Sequence, residues 1–345
     1  MTSVYKFRIQ VLALMLTLAA LCGCGGAATP ATDPVAEDSW ESVTTQAPYR
    51  FGIGYSSAGY TEAFEQWRDA VFEATGGNVE LILYGENVLG EGKDMLLAVQ
   101  QGTLSIVAAS TSVGTEIVPQ AAVMDIPACF TEYSQPFQIY SGDFYQKLNA
   151  GYNEAGLELL FLRTGEPWII SSVEPITTLS QLNGMRIRTS GSPYHNRLYD
   201  LLGIQQVENV GLSGLAYILD ENGVDGIETT YTILKSQNLL DAQPYGFKGP
   251  LFTMSSAIVM NYNAFYALPE DYQGILKTSL ADILTDRQEQ TDRIEEGIQV
   301  YTLSETERNA LRDIATPLLD EIIDLVGAEL VQALAEENSL LAQSE

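Results

Sequence analysis

The sequence is nearly free of histidine: His195 is the single one among 345 residues. A zinc site built from imidazoles is therefore excluded, because such a site needs several histidine ligands. His195 lies in a helical stretch between Tyr194 and Asn196, and we expect it on the helix surface or partly packed. A role as a general base is the alternative.

Motifs that bind nucleotides or activate a nucleophile are also missing. Gly52-x-Gly54 lacks the third glycine of a dinucleotide-binding loop, and neither a P-loop nor a Gly-x-Ser-x-Gly elbow occurs. Carboxylate pairs such as Glu221 and Asp225 could do acid–base chemistry. With 45 acidic residues, however, such pairs arise by chance. The sequence gives no positive indication of catalysis, and we expect neither enzyme activity nor a cofactor.

Lysine and arginine are scarce, 17 against 45 Asp and Glu, which gives a formal net charge of -28. Long-range repulsion by such a surface makes nucleic acid and anionic membrane surfaces poor partners. We interpret the charge as a means of solubility in an outside environment. Cation binding is the alternative, but the acidic residues are scattered rather than grouped at ligand spacing, and we expect no metal site.

The amino terminus has the pattern of an export signal. Lys6 and Arg8 precede an apolar stretch, residues 9–21, that is too short to span a bilayer as a stable anchor. The tetrapeptide LCGC that ends at Cys24 resembles a bacterial lipobox. We therefore expect residues 1–24 to be a lipoprotein signal peptide, Cys24 to carry the lipid, and the protein to be extracytoplasmic and membrane-anchored. An ordinary secretory signal cut near residue 27 is the alternative.

The segment after the signal has too little apolar content to pack. Residues 25–47 are small, polar and acidic, which predicts a disordered tether. Cys129 is the one thiol left in the body once Cys24 is lipidated. An internal disulfide is then impossible unless Cys24 stays unmodified, and we expect Cys129 to be a small, buried apolar side chain.

The first half of the body alternates between strand and helix patterns. Phe64, Trp67 and Val71 share one face of the first helix, and the third strand is largely apolar, as buried parallel strands are. This order predicts a parallel sheet covered by helices. The predicted elements are strands at 50–56, 79–84 and 104–109 and helices at 61–75 and 93–101.

Candidate ligand contacts follow from this sheet. Ligands bind outside the carboxyl ends of parallel strands. Tyr55 lies there after the first strand, and Ser110 and Thr111 lie there after the third. A solvated loop is the alternative for each of them.

The second half contains a compact pattern of strand, turn, helix, strand, helix and strand over residues 183–230. Arg188 lies at the end of its first strand and Glu228 at the end of its last. An apolar strand at 251–261 is suited to crossing back between domains. Further elements are predicted as helices at 135–155, 269–298 and 304–341 and strands at 157–162 and 167–171.

Several of these segments, in this order, resemble the extracytoplasmic solute receptors of TRAP transporters, the DctP-type substrate-binding protein family. The likeness runs from about residue 49 to the carboxyl terminus, and the motifs are specific when found together. They are YGENVLG at 84–90, DIPACF at 125–130, NGMRIRT at 183–189, NGVDGIE at 222–228 and ALPE at 267–270.

The resemblance implies an α/β fold with two lobes, like that of periplasmic binding proteins. Mixed sheets flanked by helices form the lobes, and a long helix spans both. Lobe I is expected to comprise residues 48–165 and 255–294. Lobe II is expected to comprise residues 166–254 and 295–345.

The function implied by the resemblance is capture of a small organic anion, a carboxylate, in the cleft between the lobes, and delivery to the membrane subunits of a TRAP permease. Closure would then follow from a ligand that bridges both lobes and stabilises the closed form. A secreted ligand sensor or a hydrolase with no transport role is the alternative.

In this family the arginine of the Lys-Ile-Arg motif holds the ligand carboxylate, which implies this role for Arg188. A guanidinium grips a carboxylate through two parallel hydrogen bonds. An ion pair within the protein is the alternative. The sequence departs from the family at three positions: Trp168 replaces a second arginine, Ser110 a glutamate of sialic-acid-binding members, and Thr229 a frequent asparagine.

These departures shape the expected site. Trp168 beside a single arginine favours a small or flat anion stacked on the indole, with core packing as the alternative. Leu212 matches a position that often carries an aromatic residue, and it is expected to line the same wall. Glu228 contacts a ligand hydroxyl or ammonium group in one interpretation and caps the following helix in the other.

Overall fold

The computed structural model describes residues 47–56, 58–130, 138–208, 210–221, 223–249, 251–286 and 297–343. The predicted signal peptide with Cys24, and the predicted tether up to residue 46, lie outside the described residues. Within these residues the chain forms two six-stranded sheets with helices packed against them.

The first sheet combines parallel and antiparallel pairs. Its strands are β1 (Tyr49–Tyr55), β2 (Val79–Tyr84), β3 (Ile106–Ser110), β4 (Gln138–Ile139), β5 (Leu157–Pro167) and β11 (Thr253–Asn261). Their order is β2-β1-β3-β11-β5-β4. The first three are parallel, as the strand–helix alternation predicts. β11 is antiparallel to both β3 and β5, which makes the sheet mixed.

The second sheet is also mixed. Its strands are β6 (Ile169–Ser172), β7 (Arg186–Arg188), β8 (Gln205–Val207), β9 (Gly226–Thr229), β10 (Tyr245–Lys248) and β12 (Gln299–Thr302). Their order is β12-β10-β6-β9-β7-β8. β7 is parallel to β8 and β9, and β6 is antiparallel to β9. The order of strands and helices that the sequence predicts along residues 183–230 is thus confirmed.

Ten α-helices are described, and short 3₁₀ helices join several elements. The α-helices are α1 (Thr61–Ala74), α2 (Gly92–Gln100), α3 (Gly142–Glu154), α4 (Pro193–Leu201), α5 (Leu215–Asp220), α6 (Tyr231–Ser236), α7 (Tyr262–Tyr266), α8 (Glu270–Asp286), α9 (Glu305–Val326) and α10 (Ala328–Gln343). The 3₁₀ helices are Ala58–Tyr60, Ser112–Gly114, Pro119–Asp125, Leu179–Leu182 and Leu212–Gly214.

The helices bury the stripes that the sequence marks as apolar. On α1 the side chains of Phe64, Trp67 and Val71 are fully buried. The indole of Trp67 donates a hydrogen bond to the carbonyl of Leu276 on α8 at 3.1 Å, so no polar atom of that ring is left unpaired. Cys129 is buried, as predicted.

Two of the helix predictions were wrong in extent. Among the described residues, the helix expected at 135–155 begins only at Gly142, because Gln138 and Ile139 form the short strand β4 and the positive φ of Gly142, 92°, marks the break between strand and helix. The helix expected at 304–341 is two helices, and Gly327 with a φ of 86° separates them. The helix from Pro269 ends, among the described residues, at Asp286.

The helix α9 links elements of the two sheets. It packs against the 3₁₀ helix Pro119–Asp125, which follows β3, and against α4, which follows β7. Its buried face consists of Leu311, Ala315, Leu318 and Ile322. The proposed lobe boundaries remain a prediction. No helix of the described residues is long and apolar enough to cross a membrane.

Candidate functional site

The predicted site residues cluster where strands of the two sheets end. In the first sheet, Ser110 ends β3 opposite Ser256 at the start of antiparallel β11. Tyr55, Ser110, Thr111 and Ser255 therefore lie at one end of this sheet, and we call them the first rim. In the second sheet, Trp168, Arg188, Thr189 and Thr229 lie at one end, and we call them the second rim.

The two rims meet where the chain crosses between the sheets. Trp168 is the single residue between β5 of the first sheet and β6 of the second. Its backbone N–H donates to the carbonyl of Phe252 at 2.9 Å, just before β11. The crossing segments are thereby tied together, and residues of both rims come to one region.

Arg188 is buried at the second rim, with 6% of its surface exposed. Nε and Nη2 donate to the carbonyl of Val210 at 2.8 and 2.6 Å, and Nη1 donates to the carbonyl of Glu228 at 3.3 Å. The guanidinium has five N–H groups, so one on each terminal nitrogen is left for a further acceptor. The backbone carbonyls thus fix the plane of the group.

The charge of Arg188 has no direct partner among the described residues. Their ion pairs do not include it. Burial lowers the pKa of the guanidinium, and the more distant charges of Glu228 and Glu91 oppose that shift. The alternative for Arg188, an ion pair within the protein, is therefore wrong as far as the described residues are concerned.

Glu228 is fully buried, and three donors hold its carboxylate. They are the hydroxyl of Tyr199 at 2.7 Å, the backbone N–H of Ser190 at 2.5 Å and Nδ1 of His195 at 2.5 Å. Burial raises the pKa of Glu228, but the charge of His195 and these hydrogen bonds outweigh burial and lower it. The carboxylate is an ionised acceptor.

Glu228 does not cap the following helix. Thr230 is the N-cap of α6, and its side chain accepts from the backbone N–H of Ile233. The capping interpretation of Glu228 was wrong, whereas ligand contact by Glu228 remains a prediction. Its carboxylate already accepts three hydrogen bonds from the protein.

His195 is completely buried, so the prediction of a surface or partly packed histidine was wrong. The helix α4 carries it inward because Ser192, the N-cap, donates to the carboxylate of Asp125 at 2.8 Å. The His195 ring stacks on Phe252 with centroids 3.7 Å apart. Nothing in the local sequence pattern signals this packing, which depends on residues far apart in the chain.

Four buried polar atoms of the rim residues have no hydrogen-bond partner within the described chain. They are Oγ of Ser110, Oγ of Ser255, Nε1 of Trp168 and Oγ1 of Thr189. Buried polar groups of native proteins are nearly always paired. Both rims therefore hold unused hydrogen-bonding capacity. A cavity of about 10 Å³, room for about one water molecule, adjoins Ser110 and Thr111.

The remaining predicted contacts are placed as follows. Tyr55 packs edge-on against Phe64 in the core of the first sheet, with its hydroxyl 3.4 Å from that of Thr61. Leu212 packs against the apolar cluster of the second sheet. Thr229 is fully buried and donates to the carbonyl of Thr230. For each of them, ligand contact remains a prediction.

Sequence reasoning missed Ser255 and Thr189 as candidates. Ser255 stands in an apolar strand, TMSSAIVMN, and only its antiparallel pairing beside β3 brings it to the first rim. Thr189 directly follows Arg188 and was open to prediction from that position alone. Among the described residues, no cluster of His, Cys, Asp and Glu side chains has the arrangement of a metal site.

Comparisons with known proteins agree with this architecture. The model of bacterial extracellular solute-binding protein family 7, DctP, matches residues 55–324. An uncharacterized protein of Haemophilus influenzae is 26% identical over 184 residues, which cover 53% of this chain and 56% of that protein. The C4-dicarboxylate-binding protein DctB of Bacillus subtilis is 22% identical over 314 residues, which cover 88% of this chain and 89% of that protein.

The fold also recurs in solved structures. A TRAP periplasmic solute-binding protein from Desulfovibrio salexigens, crystallised with orotic acid, superimposes with a TM-score of 0.72 at 22% identity. The match covers 84% of this chain and 98% of that protein. The predicted α/β fold with two mixed sheets is thereby confirmed. The chain belongs to bacterial extracellular solute-binding protein family 7, as its resemblance to the DctP-type receptors of TRAP transporters indicated.

Proposed function

We propose that this protein is the solute-binding lipoprotein of a TRAP-type transporter. It captures a small carboxylate between the two rims and delivers it to the membrane subunits of the permease. Lipidation at Cys24 holds it at the outer face of the membrane. The family of solute-binding receptors supports the coarse function, and the carboxylate, the anchor and the permease are the parts that we propose.

The observation that carries the proposal is the buried guanidinium of Arg188 without a carboxylate partner. A buried charge is costly unless it is paired, and the penalty amounts to several kcal/mol per ion. The chain has 45 acidic residues, so carboxylates that could serve as such a partner are abundant. An anionic ligand that supplies the missing charge explains why none is used.

The surroundings of Arg188 favour a carboxylate with a flat or hydroxylated remainder. The carbonyls of Val210 and Glu228 hold the guanidinium plane, so a bidentate ligand finds it pre-oriented. Trp168 offers an unpaired indole N–H, and Ser110 and Ser255 offer unpaired hydroxyls. The acids named for the two similar proteins, a C4-dicarboxylate and orotic acid, each combine a carboxylate with further oxygen atoms that can accept from such donors.

Ligand capture acts through the relative positions of the two rims. A carboxylate on Arg188 whose other end reaches Ser110 or Ser255 bridges the sheets, and it therefore stabilises the closed arrangement over an open one. The permease then receives the closed form. The lobe boundaries that we proposed from the sequence follow the same division of the strands.

A thermal-shift screen of the purified protein against organic acids tests the proposal. A ligand at 100 times its dissociation constant stabilises the folded state by about 2.7 kcal/mol, which such a screen detects. Arg188→Ala is expected to weaken binding of the acid at least tenfold, or about 1.4 kcal/mol.

Arg186→Ala is the matched control, because Arg186 lies on the same strand with an exposed side chain beside Asp225. Its affinity for the acid should equal that of the wild type. Stabilisation by a neutral sugar or a cation, with none by any carboxylate, would contradict the substrate class. Turnover of the bound acid would contradict a receptor without enzyme activity.

A further inference from the structure

His195 occupies the place where elements of the two sheets converge. Its ring lies between Phe252, stacked at 3.7 Å, and Trp168, edge-on at 5.7 Å, and both residues belong to the segments that cross between the sheets. The side chain has no exposed surface. A buried, polar ring in such a place needs partners for both of its nitrogens.

Both ring nitrogens face carboxylates. Nδ1 lies 2.5 Å from Oε1 of Glu228, and Nε2 lies 3.6 Å from Oδ1 of Asp125. A carboxylate only accepts hydrogen bonds, and both nitrogens donate only when the imidazole is protonated. The longer Nε2 contact is electrostatic, because it is too long for a hydrogen bond, and Nε2 has no hydrogen-bond partner among the described residues. A bare, unprotonated Nε2 facing a carboxylate would be repelled by it, whereas a protonated Nε2 is attracted.

We propose that His195 is an imidazolium that joins Asp125 to Glu228 and thereby positions Arg188 for its ligand. His195 is a positioning residue in this proposal, because it touches neither the guanidinium nor the site of the ligand carboxylate. The part that concerns the ligand rests on the proposed function. The protonation state and the effect on Arg188 are independent of it.

On the side of the second rim, Glu228 transmits the effect. Its carboxylate accepts from the backbone N–H of Ser190, and its own carbonyl accepts from Nη1 of Arg188. Glu228 thus holds the strand end at two points, on either side of Thr189. If the carboxylate moves, both contacts move with it.

On the side of the first rim, Asp125 connects His195 to the end of β3. Oδ1 of Asp125 accepts from the hydroxyl of Ser112 at 2.6 Å, and Oδ2 accepts from the hydroxyl of Ser192 at 2.8 Å. Ser112 follows Ser110 and Thr111 directly in the chain. Polar contacts therefore run from Ser112, next to the first rim, through Asp125 and His195 to Arg188, and the link between Asp125 and His195 is electrostatic rather than a hydrogen bond.

The electrostatics of the surroundings support an imidazolium. Burial lowers the pKa of His195, but the charges of Glu228 on β9 and Asp125 on the 3₁₀ helix outweigh burial and raise it to about 9. The other titratable groups here are tyrosines. Tyr199 and Tyr194 on α4 and Tyr152 on α3 all have a raised pKa, with burial as the largest cause, so they stay neutral.

The first test uses the fact that the sequence contains a single histidine. Purification without a histidine tag gives one imidazole, whose ¹⁵N and ¹³C resonances report its protonation directly. We expect the doubly protonated pattern between about pH 6 and pH 8, where an ordinary histidine of pKa about 6.5 loses its proton. A neutral tautomer at pH 8 would overturn the proposal.

The second test asks whether the charge positions Arg188. The Nε–H of Arg188 donates to Val210 in the buried site, so its hydrogen exchange is slow when the guanidinium is held. Its resonance is assigned by its loss in Arg188→Lys. His195→Gln is expected to speed this exchange by about tenfold or more, since two buried carboxylates then face a neutral amide.

A compensating variant separates charge from shape. His195→Gln with Glu228→Gln removes the imidazolium and one carboxylate together. We expect this double variant to have a higher melting temperature than His195→Gln and slower exchange at Arg188, because neighbouring charges couple non-additively. If the double variant is no better than the single one in either measurement, the coupling is not electrostatic and the proposal is wrong.

Binding of the acid found in the screen is measured in the same variants. We expect His195→Gln to weaken it by about tenfold, as for the loss of an oriented charge partner. If the resonances behave as expected but wild-type protein binds no carboxylate, the proposed function fails and the positioning of Arg188 stands. If acid binding is unchanged in His195→Gln, the positioning role for the ligand is overturned.

Discussion

The two rims lie at corresponding ends of two six-stranded sheets, yet they carry different chemistry. The second rim holds charge: Arg188 is buried there, and His195 and Glu228 support it from behind. The first rim holds hydroxyls, from Ser110, Thr111 and Ser255, and its strands are otherwise apolar. If the protein binds an anion as we propose, its recognition is therefore concentrated on one side of the site.

The difference follows from what each rim needs for its own stability. A buried charge requires a network of partners, and such a network fixes the strand end. The hydroxyls of the first rim carry no charge and need no such network, and each rim leaves two buried polar atoms unpaired. Under the proposed function, the second rim is thus a rigid anion site, and the first rim completes the hydrogen bonds of the ligand when the two come together.

The largest expected effect that tests this difference between the rims is that of Glu228→Ala. It removes the acceptor of three donors and leaves the imidazolium of His195 without its closest partner. Breaking one side of a buried ion pair costs about 3–5 kcal/mol, and we expect that loss in urea unfolding.

Glu221→Ala is the control, since Glu221 is exposed at the end of α5. An exposed substitution of this kind changes the unfolding free energy by no more than about 0.5 kcal/mol. A loss of less than about 1 kcal/mol for Glu228→Ala would mean that the second rim does not depend on its charges.

The next effect is a dependence of stability on pH. Because the folded pKa of His195 is raised to about 9, its contribution is fully present below the unfolded value of about 6.5 and is lost as the pH rises through about 9. The loss is about 1.4 kcal/mol per pH unit within that window, or about 3 kcal/mol in all.

Urea unfolding at several pH values checks this prediction. Histidine is the one side chain whose ordinary pKa lies between about pH 5 and pH 8, and the sequence has only His195. The thiol of Cys129, whose pKa burial raises to about 11, adds a pH dependence only from about pH 8.5 upwards, where an ordinary thiol ionises in the unfolded chain. In His195→Gln the slope between about pH 6.5 and pH 8 should therefore vanish. A slope that persists in the variant would assign the effect to another group.

How much of the fold the sequence predicts differs between elements. Strands and helices with clear periodicity were predicted almost to the residue, as for β2 at Val79–Tyr84 and α1 from Thr61. The start of α3 was not, because the short strand β4 depends on its pairing with β5 rather than on a local pattern. Such tertiary pairing is invisible in one sequence.

The site was predictable where chemistry and a family motif coincide. Arg188 was found because a cation at a strand end is rare in this acidic chain. The burial of His195 was not predictable, since it results from Asp125 and Glu228, which are distant in sequence and meet only in the fold. Unpaired atoms such as Oγ of Ser255 are likewise recognised only in the three-dimensional structure.

A smaller effect separates charge from geometry at the second rim. Arg188→Lys keeps the positive charge, but lysine cannot bond the carbonyls of Val210 and Glu228 and a bidentate carboxylate at once. We expect the affinity for the acid to fall about tenfold, or about 1.4 kcal/mol, in isothermal titration. Arg186→Lys is the control, with unchanged affinity. If Arg188→Lys and Arg186→Lys bind the acid with equal affinity, the positive charge of residue 188 is sufficient and the geometry of the guanidinium is not needed.

The smallest effect concerns the first rim, where Ser255→Ala should act with opposite signs on stability and on binding. Oγ of Ser255 is buried without a partner, so its removal costs the free protein no hydrogen bond and relieves a desolvation penalty of about 1–3 kcal/mol. Stability should be unchanged or higher. The ligand loses one hydrogen bond, about 0.5–1.5 kcal/mol, and therefore binds about twofold to tenfold more weakly.

Ser256→Ala, on the opposite face of β11, is the control and should change neither the stability nor the affinity. Thermal unfolding and titration of both variants decide the matter, because a packing defect at Ser255 would lower stability together with affinity, whereas a ligand contact lowers affinity alone.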